Sequence, residues 1–143
     1  MTQIKQTDGR LIAAENEHNV LFWLHRFGGM TTSQLGRLAW SDQPAGQRSA
    51  QRTTRRLSNK GLIQNRGLET GGNIYLLTRS GARHLIEQGI KHVNPDGQGH
   101  LRLKNLTHRM IANEYAIDMI LRGHTVWTEH EIQRGFPLNF PDI

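Results

Sequence analysis

No cysteine occurs in the 143 residues, which excludes a disulfide framework and any zinc site built on thiolates. No run of eighteen or more apolar residues occurs either, so no membrane span is expected. The opening "MTQIKQTDGRLIAAENEHN" lacks the apolar core of a secretion signal, and a cytoplasmic address is the simplest expectation. The most telling absence is local. Between Gln43 and Leu68 there is no acidic residue, while Arg48, Arg52, Arg55, Arg56, Lys60 and Arg66 are basic. Those charges equal the net +6 of the whole chain, so the remainder is balanced. A basic cluster in a neutral background suits a localised anionic partner, nucleic acid first, with a merely solvated basic face as the alternative.

A hydrophobic fraction of 36% with 21% charged residues marks a folded, soluble chain rather than a disordered one. "ENEHNVLFWLHRFGG" reads as a first helix with an acidic start, a broad apolar side and a glycine stop. In "MTTSQLGRLAW", Thr31 or Thr32 can cap a short second helix carrying Leu35, Leu38 and Trp40. "SDQPAG" then breaks the chain before the basic stretch. At 100° per residue, Arg48, Arg52, Arg55 and Asn59 fall within about a 60° arc, with Ala50, Thr54 and Leu57 roughly opposite. A basic face and a packing face are thereby separated, as an amphipathic third helix requires.

After Lys60-Gly61 the period changes. "LIQNR" and "NIYLL", around the loop "GLETGG", predict a hairpin, and Thr78 caps a helix with Ala82, Leu85 and Ile86 on one side. Helix, helix, basic helix, hairpin, helix is the order of a winged helix-turn-helix domain. "RRLSNKGLI" followed by "IYLLTRSGARHL" resembles the third helix, wing and next helix of many bacterial winged-helix DNA-binding proteins, over residues 16–89. That resemblance implies a third helix in a major groove, with Arg48, Arg52, Arg55 and Asn59 facing the DNA. Arg56 and Lys60 would flank it on the backbone, and Arg66 would extend contact through the wing.

Beyond the polar connector "KHVNPDGQGHLRLKN", "LTHRMIANEYAIDMILRG" predicts a long helix capped at Thr107 and ended at Gly123. Its apolar residues wrap most of the circumference, which predicts a buried helix with Tyr115 in packing. "TVWTEHEIQRG" suggests a short strand and a short acidic helix. Thr107-His108, Glu114, "VWTEHEI" and Pro141-Asp142 are similar to the replication-relaxation family of plasmid and mobile-element proteins. That family pairs a winged helix with a domain resembling PD-(D/E)xK nucleases, and includes relaxases that nick DNA at a transfer origin. The resemblance implies Asp142 as the first metal-binding carboxylate and Glu114 as an accessory acid, with Mg or Mn in the full-length protein.

Only Ile143 follows Asp142, so the family's second acid and lysine are missing, and one carboxylate cannot hold such an ion. The expectation is a fragment of a longer protein, with no cofactor and no nuclease activity in this chain itself. The fold class expected is mainly α with a small β-hairpin: a winged helix-turn-helix domain followed by an incomplete α/β segment. The divisions are 1–91, a linker 92–106, and 107–143.

His124 and His130 near Glu129 and Glu131 lack a third ligand group, and Glu129 with Glu131 reads as surface charge rather than a catalytic pair. The expected partner is double-stranded DNA at a transfer or replication origin. Two other readings stay open. One is a stand-alone transcriptional regulator that homodimerises through helix 107–122; the other is a winged helix whose basic face binds an acidic protein.

Overall fold

The computed structural model describes residues 9–41, 43–68 and 71–136. Helices α1 (Gly9–Phe27), α2 (Thr32–Ala39) and α3 (Gly46–Asn59) come first. Strands β1 (Ile63–Gly67) and β2 (Asn73–Leu77) follow, then α4 (Arg79–Glu87), α5 (Leu103–Leu121) and α6 (Glu129–Gln133). The fold is mainly α with one small hairpin.

Val20, Leu21, Leu24 and Phe27 recur at helical spacing and are fully buried, so α1 supplies the centre of the core. The chain is already helical at Gly9, and the first turn of α1 holds no acidic residue. The acidic start expected from the sequence is therefore interior, and Glu17 lies on the buried stripe. Gly28 and Gly29 end α1 in the left-handed region, with φ of 71° and 117°. Thr31 caps α2 in a capping box, its Oγ1 accepting from Gln34 N at 3.1 Å while Gln34 Oε1 accepts from Thr31 N at 3.3 Å. α2 and α3 meet closely because Gly36 and Gly46 face each other. A β-carbon at Gly46 would lie 3.2 Å from Gly36 O and 3.0 Å from Trp40 Cβ. α3 packs on α1 and α2 through Ala50, Thr53, Thr54 and Leu57.

The hairpin is antiparallel, with Ile63 opposite Leu77 and Gly67 opposite Asn73. A bridge unseen in the sequence ties it back to the end of α1: Met30 N donates to Tyr75 O at 3.2 Å and Tyr75 N to Met30 O at 2.8 Å. Thr78 caps α4 as expected, accepting from Gly81 N at 3.1 Å. Gly81 is held against backbone, since a β-carbon there would come within 2.0 Å of Leu62 O. Ala82 and Leu85 are buried, but Ile86 is exposed.

α5 departs from expectation twice. It runs from Leu103, with Arg102 at the N-cap position and no side-chain cap, so Thr107 lies inside it. Nor is it buried all round: Leu106, Arg109, Asn113 and Ile117 face the core, while Ile111 and Tyr115 are 63% and 74% exposed. Tyr115 is not a packing residue. The strand expected within 124–128 is irregular chain, and Thr128 instead caps α6 in a second capping box with Glu131.

The later segments fasten onto carbonyls at the end of α1 and in the Gly28-Gly29 pair that follows it, where few backbone donors compete. Gln98 Nε2 donates to Leu24 O at 2.8 Å, and Asn113 Nδ2 to Gly29 O at 3.0 Å. Thr128 Oγ1 donates to Arg26 O, and Arg109 Nη1 reaches Gly28 O at 3.4 Å. Arg26 forks onto Glu131, with Nε to Oε2 at 2.8 Å and Nη2 to Oε1 at 2.9 Å. Among the described residues no helix is long and apolar enough to cross a membrane.

Candidate nucleic-acid interface

The burial of Ala50, Thr53, Thr54 and Leu57 fixes the rotation of α3 about its axis. Arg48, Arg52, Arg55 and Asn59 are consequently exposed together. Thr54 Oγ1 folds back onto Ala50 O at 2.9 Å, which lets a polar residue sit on the buried side without a lost hydrogen bond. Among the described residues, no hydrogen bond or ion pair engages Arg48, Arg52 or Arg55. Three guanidinium groups with their donors directed at solvent form a row that a phosphate chain could satisfy.

Arg56 and Lys60 are placed differently. Arg56 Nε meets Glu17 Oε2 at 2.9 Å, and Lys60 Nζ meets Glu17 Oε1 at 2.7 Å. Burial pushes the Glu17 carboxyl up, but the hydrogen bonds and charges of Lys60 and Arg56 outweigh that and hold it below its ordinary value. The two cations therefore brace α3 against α1. The sequence reading missed Glu17, although its place on the stripe with Val20, Leu21 and Leu24 was the available signal. Arg66, on β1, donates to Leu101 O and, at 2.8 Å, to Gly99 O, tying the hairpin to the connector. Part of its donor capacity is thereby spent inside the molecule.

The model of the replication-relaxation family matches residues 21–139, from the middle of α1 past α6. The chain belongs to the replication-relaxation family. No curated protein and no solved structure matches it.

In this replication-relaxation chain the two candidate acids stand as follows. Glu114, on α5, accepts from Gln34 Nε2 at 2.9 Å and pairs with Arg37, so its oxygens join α5 to α2. Asp142 lies outside the described residues. Among the described residues no group of three or more His, Asp or Glu side chains could hold a metal ion. One carboxylate already taken by Arg37 and Gln34 does not fit a divalent ion.

The remaining candidates also have partners. Glu131 is held by Arg26, and Glu129 faces His108 at 3.3 Å. His130 is buried, its Nδ1 3.0 Å from Arg109 Nη1. Burial lowers its pKa to about 3, helped by the charges of Arg109 and Arg134. His25 falls to about 4 by burial and then by the charge of Arg134. Both rings are neutral at physiological pH.

Proposed function

We propose that α1 to α4 and the hairpin act as a winged helix that binds duplex DNA, in a replication-relaxation protein serving plasmid replication or mobilisation. The observation that carries this reading is the row of Arg48, Arg52 and Arg55, exposed and unpaired on a helix whose opposite side is locked into the core. α3 would enter the major groove, with Asn59 at the end of the same face, and the hairpin would lie beside it as the wing. Arg56 and Lys60 contribute chiefly by holding α3 in place, and Arg66 by anchoring the wing while its remaining donors reach backbone phosphate. A transfer or replication origin is the natural target for a family of this kind. Nicking chemistry is not assigned to Glu114, whose oxygens Gln34 and Arg37 occupy.

The test is binding to short duplexes across a salt series. The Arg52→Ala, Arg55→Ala double variant should bind more weakly and lose about two units of salt slope, close to one per phosphate contact. Unchanged affinity at low salt would remove α3 from the interface.

The exposed side of α5, with Ile111, Tyr115 and Met119 one turn apart, favours a second reading: a regulator that homodimerises along α5. It requires a stable dimer by light scattering and a palindromic site, whereas an origin-binding monomer gives neither.

A further inference from the structure

A cavity of about 130 Å³ opens where α1, the connector, α5 and α6 meet. His25, His100, Arg109, His130, Gln133 and Arg134 line it, and none of the described lining residues is acidic. Arg109 is the centre of interest, because it is only 3% exposed yet forms no ion pair among the described residues. Its Nη1 serves Gly28 O at 3.4 Å and His130 Nδ1 at 3.0 Å, and its Nη2 serves Gln133 Oε1. Its Nε is buried with no hydrogen-bond partner. A buried guanidinium in this state lacks an acceptor at Nε and a directly paired carboxylate, and native folds rarely leave either unmet.

Of the nearby acids, Glu129 acts on Arg109 only through space, and neither it nor Glu131 pairs with Arg109 directly. Glu131 is taken bidentately by Arg26, and Glu129 is shared between His108 and Gln133, each at 3.3 Å. The positive field is felt by the histidines, since arginine charges reinforce the burial that holds His25 and His130 neutral. Neutral His130 accepts from Arg109 at Nδ1, which leaves its hydrogen on Nε2 as a further donor. Water in the cavity would satisfy a donor but not the charge.

We propose that this cavity binds a phosphate-type oxyanion, with the Arg109 guanidinium as its buried cation, the more exposed Arg134 as its outer cation and the His100 ring as a further polar contact. The volume is well below the roughly 300–1,000 Å³ of pockets for larger ligands, so the occupant is a single oxyanion or the phosphate end of a longer molecule. Arginine with planar, forked donors is the side chain suited to such a group. The site is separate from the exposed face of α3 and does not rest on the DNA reading.

The test follows the histidine ring nitrogens of the whole chain by NMR during a titration with inorganic phosphate, at constant ionic strength set with chloride. Saturable shifts at His25 and His130 are expected, absent when chloride alone is varied. Arg134→Gln, which leaves the buried Arg109 network in place, should weaken the response about tenfold, the loss of one charge-assisted contact. Arg109→Lys, where it folds, should weaken it further. A parallel arm compares a 5′-phosphorylated oligonucleotide with its unphosphorylated form. Saturation by inorganic phosphate identifies a free ion, and saturation only by the phosphorylated oligonucleotide identifies a strand end. Identical drift in phosphate and chloride with no response to the phosphorylated oligonucleotide overturns the proposal. So does an equal response to both oligonucleotides without one to phosphate, or full binding by Arg134→Gln.

Discussion

Glu17 shows how a single side chain decides which basic residues are available for a partner. Its carboxylate lies beneath α3 with its side chain 11% exposed, and it holds Arg56 and Lys60. Replacing it by glutamine removes the charge that both cations face, at a cost of about 1.5–3 kcal/mol in chemical denaturation, as for hydrogen bonds to charged groups. Its pKa is lowered from 4.5 in the folded chain, so its stabilisation is complete above that pH and is lost as pH falls through the lower folded value. The wild type should therefore lose more stability on acidification through that range than Glu17→Gln; parallel curves would contradict the assignment. The histidines act over a different window. From 6.5 in the unfolded chain, His25 falls to about 4 and His130 to about 3, so the unfolded state takes up protons first. Stability is full above pH 6.5 and declines below it, by up to about 1.4 kcal/mol per pH unit for each histidine. His130→Gln, whose amide oxygen can still accept from Arg109, should flatten that decline between pH 6.5 and 4. An unaltered urea midpoint profile would show that His130 does not titrate as a buried neutral ring.

Among the elements, those legible in the sequence carried both a start signal and a period. α2 had Thr31 and Gln34 for its capping box, α3 had its arginines three and four apart, and the hairpin had glycines between two β-prone runs. α5 was harder because its apolar residues occupy all sides, and composition alone does not say which side a neighbour covers. Leu106, Arg109, Asn113 and Ile117 form the covered stripe, and two of those four are polar. Thr107 offered a cap, but the stripe already runs through Leu106 one turn before Met110, so the helix continues upstream. Residues 124–128 have strand-prone types yet no strand beside them among the described residues, and an unpaired extended segment gains no ladder. Glycine also hides its purpose in sequence. Gly81 is needed because Leu62 O comes against it, and Gly81→Ala would place a β-carbon 2.0 Å from that oxygen. The junction of α4 with the hairpin must then shift, and the melting temperature should drop by an amount matching about 1–3 kcal/mol of overpacking. An alanine variant as stable as the wild type would mean that α4 is not seated there.

Across the whole molecule, the end of α1 is where early and late segments are joined. Gln98 and Thr128 donate to carbonyls of its last turn, Arg109 and Asn113 to those of the Gly28-Gly29 pair that follows, and Arg26 closes the arrangement on Glu131. None of these long-range bonds was readable beforehand, because nothing in local spacing pairs an arginine near residue 26 with a glutamate near 131. Their result is a frame that leaves one row of arginines unengaged while pairing Arg26, Arg37 and Arg56 with carboxylates. The most direct measurement follows the arginine Nε–H signals as a short random duplex is added at low salt. Signals of Arg48, Arg52 and Arg55 should shift together and return as salt is raised, while that of Arg26 stays in place. A duplex that shifts none of the three, or one that binds while only arginines outside α3 respond, would contradict the assignment of this face to DNA.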